Sequence, residues 1–167
     1  MNNRKKIYIA SPLGFFESGR IFLYEYLIPL VESLGLEVLD PWKLTPESEI
    51  KRVASIEDYS KRKEEWCRLN MIIGENNKKA IESSQGLLAI LDGCDVDSGT
   101  AAEIGFAYGL GKKIIAYRSD FRLSSDNEGC TVNLQVEFFI KSSGGTISRD
   151  LPGLREELIR CFISSSL

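Results

Sequence analysis

Residues 86–118 read GLLAILDGCDVDSGTAAEIGFAYGLGKKIIAYR, and the alternation of apolar runs with turn residues inside them decides the fold. The run 87–91 has the length of a strand buried on both faces, and it breaks at Asp92-Gly93. A loop carrying Asp92, Asp95 and Asp97 leads into Ser98-Gly99-Thr100. The spacing then predicts a helix over 101–110 with Ile104, Ala107, Tyr108 and Gly111 on one face, and a second strand over 113–117. Strand, loop, helix and strand in that order make a parallel crossover. Ligands of such units sit at the carboxyl ends of the strands, which is where the segment from Asp92 to Glu103 falls.

Outward from this unit the pattern continues. Residues 6–10 predict a first strand that opens into Ser11-Pro12-Leu13-Gly14, a loop whose backbone is open to a ligand. Residues 21–34 predict an amphipathic helix ended by Gly35, with Pro29 kinking or restarting it, and 36–39 a second strand. Asp40-Pro41-Trp42 begins a charged stretch, 43–65, that reads as a lid, a helical insertion or a solvated helix. A helix over 66–84, bent near Gly74, buries Leu69, Ile72, Ile73 and Ile81. Residues 118–131 have the composition of a mobile loop, in which Arg118, Asp120 and Arg122 pair at the surface. Residues 133–140 form a short helix or strand, 142–147 a last short strand, and 151–163 a closing helix with Pro152 at its start. The sum is an α/β chain: one domain over 1–167, a doubly wound (flavodoxin/Rossmann-like) parallel five-stranded sheet with helices on both faces.

Glu103 is the residue that asks for a chemical explanation, because its neighbours are Ala101, Ala102, Ile104, Gly105, Phe106 and Ala107. An acid in the first turn of a helix is also favoured by the helix dipole alone. Asp97 carries the same ambiguity, as a chemical group or as the cap of that helix. Phe15 and Phe16 offer a stacking surface for a flat base or simply cap the core. Asn76 and Asn77 are poor helix formers in mid-helix, either surface amides or ligand contacts.

The segment from Asp97 to Lys112, DSGTAAEIGFAYGLGK, together with Ile7-Tyr-Ile-Ala-Ser-Pro12, resembles the nucleoside 2-deoxyribosyltransferases. The likeness extends more loosely through residues 117–122 and 133–137. It implies that Glu103 is the nucleophile on the anomeric carbon of a 2'-deoxynucleoside and that Tyr8, in the first strand, orients its carboxylate by a hydrogen bond. Asp97 matches the acidic position that binds sugar hydroxyls or relays a proton, with Asp92 its nearest competitor. Asn77 is the best spacing match for the base contact, and Pro12, Gly14, Phe15, Phe16, Gly99 and Asn133 complete the substrate positions. The partners implied are deoxynucleosides and free nucleobases, and the activity is transfer of deoxyribose between bases through a glycosyl ester. A nucleoside or 5'-monophosphate N-hydrolase, or a non-catalytic nucleotide-binding module, is the alternative. The first loop lacks the Gly-Ser-Ile-Arg-Gly-Gly pattern that grips a 5'-phosphate in the related hydrolases, and Gly144-Gly145 stand where several transferases carry Asn-Leu-Met. A homo-oligomer, with a dimer as the first guess, is expected.

Composition narrows the chemistry further. With no histidine, neither Ser-His-Asp nor Cys-His catalysis is available, so proton and nucleophile work falls to Asp, Glu, Tyr, Lys or Cys. Cys67, Cys94, Cys130 and Cys161 are scattered without CxxC spacing, which argues against zinc and against a disulfide framework. A net charge of −3 does not suit a nucleic-acid polymer or an anionic membrane. No metal or organic cofactor is expected, and the Asp92-Asp95-Asp97 set lacks the spacing of a calcium loop. Without a bilayer-length apolar run or a signal-like N-terminus, the expected compartment is the cytoplasm.

Overall fold

The computed structural model describes residues 4–164; residues 1–3 and 165–167, part of the span expected to form one domain, lie outside the described residues. Five strands, β1 (Lys6–Ala10), β2 (Glu37–Leu39), β3 (Gly86–Ile90), β4 (Lys113–Tyr117) and β5 (Ile147–Ser148), form one parallel sheet in the order β2-β1-β3-β4-β5. This is the doubly wound order whose topological switch lies between β1 and β3, so the crevice between their carboxyl ends is the natural ligand position.

Alternation along the strands builds two cores. Ile7, Ile9, Leu88, Ile90, Ile115 and Tyr117 face one side. There they meet the helical run that leads from α1 (Glu17–Ile21) through residues 22–27 into α2 (Ile28–Ser33), and α7 (Leu151–Leu158), through Leu23, Leu27, Val31, Leu154 and Leu158 among others. Tyr8, Ala10, Leu87, Ala89, Ile114 and Ala116 face the other side, against α4 (Tyr59–Ser83), α5 (Ser98–Gly109) and α6 (Leu134–Ser142). Every position of β3 is buried, as a central parallel strand requires. Among the described residues no helix is long and apolar enough to cross a membrane.

The elements depart from the sequence reading in instructive places. The first crossover helix begins at Glu17, earlier than expected, and Phe22–Leu27 is a π-helical stretch. Pro29 follows it in the first turn of α2, where its missing N–H is tolerated, so the helix restarts there. The charged stretch contains α3 (Glu47–Ala54) and the first turns of α4, which starts at Tyr59 because Asp58 caps it, accepting from the Lys61 N–H at 2.8 Å. α4 then continues without interruption through Gly74, and Ile72 is exposed where burial was expected.

The expected surface cluster at 118–122 is only half present. Asp120 pairs with Arg122 at 2.5 Å, but the Arg118 side chain is fully buried. Its guanidinium donates to the carbonyls of Leu91 and Gly93, acceptors just beyond the end of β3, and to that of Arg122 in the following loop. The loop beyond is tied down as well, since Glu137 accepts from the Thr131 N–H at 2.7 Å and Arg149 donates to Asp120 O and Thr131 Oγ1. Gly144, at φ +82°, and Gly145, where a Cβ would overlap the Ile114 carbonyl, form the tight return into β5.

Candidate active site

Asp97 caps α5, accepting from the Thr100 N–H at 2.9 Å and from the Thr100 hydroxyl at 3.2 Å, both on Oδ2. This cap starts the helix at Ser98, so Glu103 stands in its second turn rather than the first. The dipole effect fades within the first turn, which removes the bland account of an acid at this position. Ile104 and Ala107 press α5 onto the sheet, and the small residues around Glu103 let the helix lie close over β1.

Tyr8 is fully buried in β1, and its hydroxyl donates to Glu103 Oε1 at 2.6 Å, the contact that the resemblance implies. Burial raises the Glu103 pKa to about 7; the nearby Asp97 charge adds to this, and the hydrogen bond from Tyr8 partly opposes it. The Tyr8 hydroxyl is itself held far above its ordinary range by burial, by Glu103 and by Asp40, so it remains a donor.

Glu103 opens onto a cavity of about 390 Å3 lined by Ser11, Phe15, Trp42, Asn70, Asn77 and Asp97 among others. An adjoining hollow of about 330 Å3, between Gly74, Ile81, Ala102 and Phe106, shares Asn77, Gly99 and Glu103 with it, so the two form one cleft between α4 and α5. Asn77 Oδ1 is buried without a hydrogen-bond partner, one of three such side-chain atoms among the described residues.

The cleft thus brings together Glu103, Tyr8, Asp97, Gly99, Asn77 and Phe15. It does not bring in the remaining sequence candidates. Asp92 and Phe16 line a larger hollow of about 690 Å3 with Phe22, Ser119, Phe121 and Arg122. Asp92 accepts there from the Asp120 N–H at 2.7 Å and from the Ser119 hydroxyl. Pro12 opens a short turn, its carbonyl accepting from the Phe15 N–H at 3.0 Å, and Gly14 lies beneath Trp42 rather than on the cleft wall. Asn133 caps α6, accepting from the Gln135 N–H at 3.0 Å. Asp92, Asp95 and Asp97 do not converge, and among the described residues no group of three or more His, Cys, Asp and Glu is placed to hold a metal ion.

Trp42 and Asn70 line the cleft as well, without belonging to the sequence motifs that mark the other site residues, and so does Ser11 at the end of the first-strand motif. Asn70 has a signal available in hindsight. It precedes Asn77 by two helical turns, so both amides share one face of α4.

A doubly wound sheet with a half-buried carboxylate beside its switch point defines the structural class. A sequence profile of the nucleoside 2-deoxyribosyltransferases matches residues 7–135, and the chain belongs to that family. Solved structures share the fold. A conserved protein from Enterococcus faecalis V583 is 23% identical, with 94% of this chain and 98% of that one covered, at a TM-score of 0.67. A 2-deoxyribosyltransferase from Bacillus psychrosaccharolyticus is 22% identical over 90% of each chain, at 0.58. A CMP N-glycosidase from Clostridium botulinum is 20% identical, with 92% of this chain and 98% of that one covered, at 0.52. No curated protein sequence matches significantly.

Proposed function

We propose that the protein transfers 2'-deoxyribose between nucleobases through a covalent ester on Glu103. The observation that carries this reading is the desolvated Glu103 carboxylate, flanked by apolar helix neighbours, one oxygen of which accepts from the Tyr8 hydroxyl at 2.6 Å. Oε1 is engaged by Tyr8, and Oε2 is left to attack C1'. The C1'–N bond breaks as the Oε2–C1' bond forms, and the base departs with the bonding electron pair. Asn70 and Asn77 are amides and hydrogen-bond a base without protonating it, so the departing base takes its proton from solvent at the open cleft. A second base reverses the sequence from the same face, which preserves the configuration at C1'. Asp97 Oδ2 makes the cap, and Oδ1, which accepts no hydrogen bond among the described residues, is available to a sugar hydroxyl.

The same cleft supports nucleosides over nucleotides. Among the described residues no Lys or Arg lines the cavity around Glu103, which carries two carboxylates. The adjoining hollow has Lys78, placed 3.7 Å from Glu75 and 3.9 Å from Glu82. A dianionic 5'-phosphate would meet uncompensated negative charge there. Hydrolysis is the second reading, favoured by the openness of the cleft to water and by the fold shared with a CMP N-glycosidase.

Incubation with deoxynucleosides and free adenine or cytosine, followed by chromatography, tests the proposal. New nucleosides are expected, and turnover of the corresponding 5'-monophosphates should be far slower. Free deoxyribose without exchange would favour the hydrolase, and no product at all would refute both.

A further inference from the structure

We infer that the nucleobase lies against the indole of Trp42 and that the buried carboxylate of Asp40 is the positioning residue that holds this wall in place. The inference rests on the functional reading above and names the base-binding surface within it. Trp42 lines the same cavity as Glu103, yet it belongs to neither of the two core clusters and stays 37% exposed. An indole kept only to fill the core would be covered.

Its placement is fixed from several directions. The indole sits on Gly14, where a Cβ would overlap ring atoms Cε2 and Cδ2, so only glycine leaves it room. Phe15 meets it edge to face, with centroids 4.6 Å apart and planes at 87°. The backbone carrying Trp42 is fastened at its start by Asp40, which is 6% exposed. One Asp40 oxygen accepts from the Trp42 N–H at 3.1 Å and the other from the Tyr24 hydroxyl at 3.0 Å. Lys43 closes over the Tyr24 ring at 4.4 Å. At the far end, Asn76 of α4 donates to the Leu44 carbonyl at 3.3 Å and to Thr45 Oγ1 at 3.2 Å. The segment from Asp40 to Thr45 is therefore a strap tied at one end to Tyr24 and at the other to α4, one wall of the cleft.

A nucleobase has two apolar faces and a polar edge, and a flat aromatic side chain is its sequence-tolerant partner. An indole that is already immobilised loses little rotamer freedom on binding. With the face of the base on Trp42, the Asn70 and Asn77 amides remain for its edge.

The chain has two tryptophans, so Trp66→Phe leaves Trp42 as the sole indole reporter. Titration of that variant with adenine, and separately with cytosine, should give a saturable change in emission. Trp42→Phe in the otherwise unaltered chain should lose most of the signal. Trp42→Ala should raise KM for the deoxynucleoside by about tenfold, with kcat changed far less. Asp40→Ala should follow in KM, whereas Asp40→Asn, which still offers an acceptor to the Trp42 N–H, should restore KM to within about twofold. If Asp40→Ala does not fold, Asn76→Ala loosens the other end of the strap and should raise KM in the same way. A silent titration in Trp66→Phe together with an unchanged KM in Trp42→Ala would overturn the wall while leaving the transferase reading intact. If the unaltered chain turns over no deoxynucleoside, the functional reading fails instead and the titration alone judges the wall. Saturable quenching that Trp42→Phe removes then supports it, and its absence overturns it.

Discussion

Two hollows flank the carboxyl ends of the central strands, and the larger holds the better-satisfied carboxylates. The hollow of about 690 Å3 contains Asp92, whose oxygens accept from a backbone N–H and a hydroxyl, and Asp120, which is paired with Arg122. The hollow of about 390 Å3 contains Glu103, with one hydrogen bond and a pKa raised to about 7, chiefly by burial. A carboxylate with its lone pairs occupied is structural, whereas one stripped of water and only partly compensated has free energy available for chemistry. The contrast lies in satisfaction rather than in size.

The sharpest break of this comparison is a matched pair of variants. Glu103→Ala should reduce transfer by about a thousandfold or more while the chain stays folded, as loss of a covalent nucleophile does. Asp92→Asn should lower the melting temperature but leave kcat within a few-fold, and comparable losses of rate in both would erase the distinction.

Next in size is the role of Tyr8. Its hydrogen bond lowers the Glu103 pKa, so Tyr8→Phe should push that pKa above its value of about 7. The ascending limb of kcat/KM against pH should then move to higher pH, with kcat reduced by about ten- to a hundredfold if proton control resembles other positioned acids and bases. An unmoved limb would show that Tyr8 does not govern the carboxylate.

Stability should report the same group with the opposite preference. The folded pKa of Glu103 lies above its unfolded value near 4.5, so its contribution is fully present below pH 4.5 and is lost as pH rises through about 7. Glu103→Gln should therefore be as stable as the parent at pH 4 and more stable at pH 8, by at most about 3 kcal/mol. Denaturant titrations at the two pH values check this, and a variant destabilised at pH 8 would mean that the carboxylate is well solvated or paired after all.

The smallest expected effect separates the two duties of Asp97. Asn caps helices about as well as Asp, so Asp97→Asn should change stability by less than about 0.5 kcal/mol. A sugar contact through Oδ1 would still appear as a raised KM, measured by initial rates.

Much of this arrangement was legible in the residues. The apolar runs at 87–91 and 113–117 and the helix between them are contiguous, so periodicity alone places Glu103 beside the sheet. The cap at Asp97 was legible as one of two readings, and the structure makes it a cap whose side chain also borders the cleft. What stayed hidden is long-range. Trp42 reaches the site from beyond β2, and its seat on Gly14 lies in another loop, so no local pattern announces the contact. Arg118 was misplaced because its composition says surface, whereas the sheet end supplies carbonyl acceptors that only the fold assembles. α5 begins three residues before the helix that the pattern predicts, because Ser98, Gly99 and Thr100 are weak helix formers and the Asp97 side chain supplies what they lack.

Burial of Glu103 in a chain without histidine also makes the proposed nucleophile open to direct observation. Histidine, the side chain that ordinarily titrates near neutral pH, is absent, so infrared difference spectra between mildly acidic and mildly alkaline buffer should show the carbonyl stretch of protonated Glu103, a band that Glu103→Gln removes. Occupying the cleft with a base would then register as a shift of that one vibration, a readout of the reacting atoms without any label.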